Sequence, residues 1–126
     1  ALACQHRLGE TCDQAAQSAD LADAADTLRA AWQDILRALQ AIQNLPEATR
    51  MDNATAFLRA FGHVVMAWLW LDQARAASQA PADAFHVGKR TACLYFFEFE
   101  LPKIGPWLAA AVSESDLIGA LSHDSF

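Results

Sequence analysis

The side chains able to do chemistry in this sequence are scattered rather than gathered. Four histidines occur, His6, His63, His86 and His123. None stands in the His-Glu-x-x-His or Glu-x-x-His spacing that puts metal ligands on one helical face. Cys4 and His6 are too few and too near the start to hold a metal themselves. No Gly-x-Ser-x-Gly turn is present, and no cysteine has a nucleophile's setting. Cys93 falls inside a helical pattern and reads as a small buried or half-buried thiol. Gly62, Gly88, Gly105 and Gly119 come singly, so none builds a phosphate cradle; Gly88 with Ala92 reads as a flat spot for close helix packing. Glu98 and Glu100 fall on different sides of a helix and read as solvated. The expectation is therefore a chain with no catalytic, cofactor-binding or metal-binding residues.

Two groups are weighed further. His86, Lys89 and Arg90 form the one basic cluster of an acidic chain. They either greet a phosphate of a large cofactor or pair with Asp72, Asp83 or nearby acids. The second reading is favoured, because surface pairs are common and weak. Arg59, His63, Met66 and Trp70 make a mixed face, and Trp, Met and Arg are enriched at interfaces. A plain core reading stands beside it, since Trp is usually well buried in its own domain.

The elements that would carry these residues are helices. An apolar share of 54%, much of it alanine, with few Gly and Pro, favours helix over strand. A weak first segment runs from Leu2 to Gln17. The second begins after Ser18 as N-cap, with Asp20 and Asp23 at the positive end of the dipole. Its residues Leu21, Ala25, Leu28, Trp32, Ile35, Leu39 and Ile42 step by four and three, while Asp23, Asp26, Asp34 and Arg37 fall opposite, which predicts an edge helix. Asn44-Leu45-Pro46 ends it.

The third helix is predicted from near Asn53 or a turn earlier, with Phe57, Phe61, Val64, Trp68 and Leu71 as its stripe, Leu58, Val65 and Leu69 widening it on one side, and Met66 and Trp70 behind. Ser78 to Pro81 is the break. The fourth begins near Pro81. Phe85, Gly88, Ala92, Phe96 and Phe99, with Tyr95 beside them, form its main face, and Val87, Leu94, Phe97 and Leu101 lie across. Pro102 must kink or end it. A piece from Ile104 to Val112 comes next, then a turn at Ser113 to Asp116 and a last turn from Leu117 to Leu121. The fold class is all-α, an antiparallel up-and-down bundle of four main helices, one domain over residues 1–126. Trp32, Phe57, Phe61, Trp68 and Phe96 are the expected core.

A net charge of −6 disfavours nucleic acid and anionic membrane surfaces, which call for basic patches. The most apolar stretch, Phe57 to Leu71, is shorter than the roughly 20 residues of a bilayer span. Cys4, Cys12 and Cys93 are an odd, unclustered set and read as reduced thiols of a cytoplasmic protein. The opening Ala1-Leu2-Ala3-Cys4 lacks Met and suggests an excised or processed chain.

A family resemblance rests on two stretches. Asn53-Ala54-Thr55-Ala56-Phe57-Leu58-Arg59-Ala60-Phe61-Gly62-His63-Val64-Val65, followed by Trp68-Leu69-Trp70, resembles a helix of the C-terminal domain of bacterial acyl-CoA dehydrogenases, including the 3-methylmercaptopropionyl-CoA dehydrogenase type. Phe85, Gly88-Lys89, Ala92, Tyr95-Phe96-Phe97 and Leu101-Pro102 resemble the next helix of that domain, with His86 where its pattern often has Tyr and Arg90 where Leu is common. The likeness spans Asn53 to Leu108; the earlier part agrees in helical pattern alone.

The resemblance implies a non-catalytic accessory bundle packed on the body of a flavin enzyme. The FAD and the catalytic glutamate belong to that body, outside this chain. The rest of the dehydrogenase is then the implied partner, and a two-fold homodimer is the other way to cover spare apolar surface. Met66, Trp70, Leu94, Phe97 and Leu101 are the interface candidates. The rival reading is a free-standing scaffold or binding bundle with an apolar groove between helices.

Overall fold

A computed structural model describes residues 2–81, 83–115, 117, 120 and 121. The order is α1 (Leu2–Ala15), α2 (Ala22–Gln43), α3 (Glu47–Ser78), α4 (Ala84–Tyr95), a π-helical turn (Phe96–Glu100), a 3-10 turn (Leu101–Lys103) and α5 (Ile104–Ala111). The described residues contain no strand. The last three elements continue α4, so the chain makes the four-membered antiparallel bundle expected, its final member broken around Pro102. The expected turn at Asp116, and Ile118, Gly119 and His123, lie outside the described residues.

Helix α3 is the organising element. It contacts α1, α2, α4 and α5, and its innermost positions are small: Ala60, Val64, Ala67, Leu71 and Ala74 are buried. Alanines let neighbouring backbones approach, and larger side chains close the flanks. For that reason Phe57, Phe61 and Trp68, expected in the core, lie half-buried against it, while Trp32 and Phe96 are inside as expected. The sequence stripe of α2 is buried from Leu21 to Ile35, after which Ala38 turns inward and Leu39 is exposed.

Helix boundaries obey local chemistry. Pro46 precedes α3 with extended backbone and Glu47 sits in its first turn, so α3 starts earlier than Asn53. A proline cannot continue α2, yet its fixed φ suits the entry of the next helix. Ser18 does not cap α2; the chain turns through Leu21, whose side chain is buried, and Ala22 opens the helix. Asp83, not Pro81, begins α4: its carboxylate accepts the His86 backbone N–H at 2.9 Å, the usual N-cap bond. At 32 residues α3 exceeds the Phe57–Leu71 stretch, and by length and composition it is apolar enough to cross a membrane, with a mean hydropathy of 1.3 over 18 residues.

Candidate functional site

The interface candidates divide. Phe97 and Leu101 are only 8% and 2% exposed. They face α2, where both line a hollow with Ala30, Ala31 and Asp34. Their assignment to an outer surface is therefore corrected. A π turn takes more residues per turn than an α-helix, so the turn at Phe96–Glu100 rotates the helix face and brings Phe97 and Leu101 inward. The expected main face of the fourth helix is corrected in part: Phe96 is buried as expected, but Phe85, Tyr95 and Phe99 are exposed, and Cys93 and Phe97 are buried instead.

Met66 and Leu94 are exposed and Trp70 is half-buried. They have company, some of which, Leu58, Leu69, Phe85 and Tyr95, the periodicity placed on inner faces. Met51, Leu58, Met66 and Leu69 project from α3 on the side away from Val64 and Leu71, and Phe85, Val87, Leu94 and Tyr95 project from α4. Tyr95 and Phe99 pack on each other with centroids 4.8 Å apart. Two neighbouring helices thus each present several large apolar side chains outward.

The basic cluster divides as well. His86 Nδ1 lies 2.6 Å from Asp83 Oδ1, and Arg90 pairs with Asp20. Lys89 differs from both. Its Nζ donates to Gln73 Oε1 at 3.0 Å and stands 5.8 Å from the Trp70 ring and 5.4 Å from the Phe85 ring. Asp72 is taken by Arg75. The ion-pair reading thus fits His86 and Arg90 but not Lys89.

His63 of the mixed α3 face reaches the π turn. Its Nε2 is 3.3 Å from Glu100 Oε2, and its ring meets Trp107 edge-on at 4.7 Å, with Arg59 over the same indole. Lys103 bonds both Glu100 oxygens at 3.0 Å. The Lys103 and His63 bonds hold the Glu100 carboxyl below its ordinary range. This cluster joins α3, the π turn, the 3-10 turn and α5, and so fastens the break in the last member of the bundle.

Other chemistry is thin. Burial pushes the Cys12 and Cys93 thiols up to about 11, which keeps them protonated near neutral pH and poor as nucleophiles. No three His, Cys, Asp or Glu side chains gather as a metal set among the described residues. Gly9, Gly62, Gly88 and Gly105 each lie within helices, and none of these four lies in a loop that could wrap a phosphate. An open groove of about 410 Å³ runs between α2 and α5, walled by Ala38, Ala41, Leu108 and Val112.

A family profile described as acetyl-CoA dehydrogenase C-terminal like matches residues 5–122. The match takes in α1 and α2, which the sequence motifs had not reached. No curated protein and no solved structure matches the chain.

Proposed function

The chain belongs to the acetyl-CoA dehydrogenase C-terminal-like family, and from that membership we propose that it is the non-catalytic accessory domain of a flavin-dependent acyl-CoA dehydrogenase of the 3-methylmercaptopropionyl-CoA dehydrogenase-like group. Residues 1–126 are one bundle domain of that longer enzyme, in a bacterial cytoplasm. FAD and the catalytic base sit in the enzyme's other domains. The bundle packs on the catalytic body.

The observation that carries this reading is the outward apolar face of α3 and α4. Helix α2 needs one apolar side and has one; α3 has apolar side chains on opposite sides. Burial of that second side against protein accounts for its apolarity without a bilayer. Leu69→Glu and Tyr95→Glu test it. Each is expected to leave the isolated chain's unfolding midpoint nearly unmoved and to lower the midpoint of the intact dehydrogenase. Equal, small effects in both would overturn the docking. Stoichiometric FAD retained by the purified chain, or dye reduction with acyl-CoA, would overturn the accessory role.

The rival is a free-standing scaffold or binding bundle, which the α2–α5 groove favours. A chain that is strictly monomeric, indifferent to both Glu substitutions and able to bind an apolar ligand beside Ala38 would support it.

A further inference from the structure

Lys89 stands out once the charges around it are paired off. His86 is engaged by Asp83, Arg90 by Asp20 and Asp72 by Arg75. Lys89 has no carboxylate within pairing distance among the described residues; an amide oxygen and two aromatic faces hold it. An ammonium has three N–H donors, and Gln73 takes one. Ring contacts at an exposed site stabilise a cation only weakly, so the charge is placed without being neutralised. The rings also restrict a flexible stem in advance.

Lys89 and His86 line a hollow of about 250 Å³, whose walls include Ala76, Ala77 and Phe85. Small-molecule pockets usually run from about 300 to 1,000 Å³ and enclose most of their ligand. This one is smaller and open, of a size for one side chain. It lies where α4 meets α3, the two helices whose exposed apolar residues form the outward face. A polar anchor at the margin of an apolar patch is the ordinary anatomy of a protein interface.

We infer that Lys89 is the charged anchor of this face and receives an Asp or Glu carboxylate of the catalytic body. The inference rests on the docking proposed above. On a chain of net charge −6, an acidic side chain is repelled by most of the surface and accepted here, so the anchor sets the register of docking as well as adding to it.

Zero-length carbodiimide coupling of the intact dehydrogenase tests this, because it joins an amine to a carboxylate already in contact, with loss of water. The chain has just two lysines, Lys89 and Lys103. Lys103 lies 3.0 Å from Glu100, so that link marks successful chemistry. Peptide mass spectrometry is expected to find Lys89 joined to an acid outside residues 1–126. Lys89→Arg should remove the link while leaving the unfolding midpoint of the intact enzyme near the parent's; Lys89→Glu should lower it, and the isolated chain should respond to neither. Lys89 joined to an acid within residues 1–126, of its own or a second copy, overturns the inference. So does protection of Lys89 from acetylation by inorganic phosphate without any link. Links from the chain's carboxylates to the body, with none from Lys89, keep the docking and remove the anchor; no link to the body of any kind removes both.

Discussion

Along α2, Leu21, Ala25, Leu28, Trp32 and Ile35 step by four and three, and every one is buried. Along the run from α4 to α5 the same stepping fails. Phe85 and Phe99 are outside, and Phe97 and Leu101, drawn from the opposite face, are inside. Both stretches are rich in large apolar residues, so composition does not separate them. Geometry does: α2 is unbroken for 22 residues, and the second run passes through a π turn and a 3-10 turn around Pro102. A periodic pattern reports burial only while the period holds.

The largest expected effect comes from the closed core of the regular helix. Leu28→Ala should destabilise the isolated chain by about 2–5 kcal/mol, the cost of a cavity in such a core. Phe99→Ala, removing a larger group, should change stability by no more than about 0.5 kcal/mol, as surface substitutions do. Urea unfolding of both variants measures the contrast. If Phe99→Ala costs as much as Leu28→Ala, the π turn does not rotate the helix as described.

A smaller difference separates Trp32, inside the core, from Trp68, half-buried against it. Trp68 Nε1 donates to Thr11 Oγ1 at 2.9 Å, whereas Trp32 Nε1 is buried with no partner. Replacement by Phe removes a made bond at position 68 and an unmet donor at position 32. Trp68→Phe should be the costlier change by about 1 kcal/mol, read from the same unfolding curves. Equal costs would show that volume, not hydrogen bonding, decides both sites.

These contrasts show what was legible in the sequence. Number and order of helices, the break at Ser78 and the piece beginning at Ile104 come from Pro, Gly and Asn punctuation, which acts locally. The burial of α2 comes from an unbroken period. The second face of α3 was legible as Met66 and Trp70, since a helix apolar behind its stripe needs cover. Leu58 and Leu69 were misread as a widened stripe, because their angle relative to four neighbours is a tertiary property. The turn from Phe96 to Glu100 left no local mark except the nearby Pro102, and with it went Phe97, Phe99 and Leu101. Lys89 was visible as a charge, but its lack of an acid depended on which partners Asp72 and Asp83 had taken.

The π turn offers a pH test. Glu100 is held below its ordinary value of 4.5 by Lys103 and His63. A lowered carboxyl stabilises the fold above that value and loses its contribution as pH falls through the folded-state value. The stability of the chain should therefore drop below about pH 4.5 less steeply in Glu100→Gln than in the parent. Asp83, lowered chiefly by the His86 backbone N–H, adds the same sign at the start of α4, so part of the slope should survive. Identical profiles for parent and variant would mean that the His63–Glu100–Lys103 cluster does not hold the break in solution.

The smallest expected effect concerns an ion pair between the two regions. Arg90 of α4 meets Asp20, just before α2, and each side chain is more than a third exposed. Water screens such a pair and two flexible side chains must be ordered to make it, so exposed pairs are worth about 0–1 kcal/mol. The double-mutant cycle Arg90→Gln with Asp20→Asn should give a coupling energy inside that range, falling further as salt rises. That outcome leaves α4 seated by Cys93 and Phe96 against the core, with charge as a minor addition. A coupling well above 1 kcal/mol that resists salt would instead make Asp20 and Arg90 the hinge point between the two halves. The apolar account of how α4 is held would then have to give way.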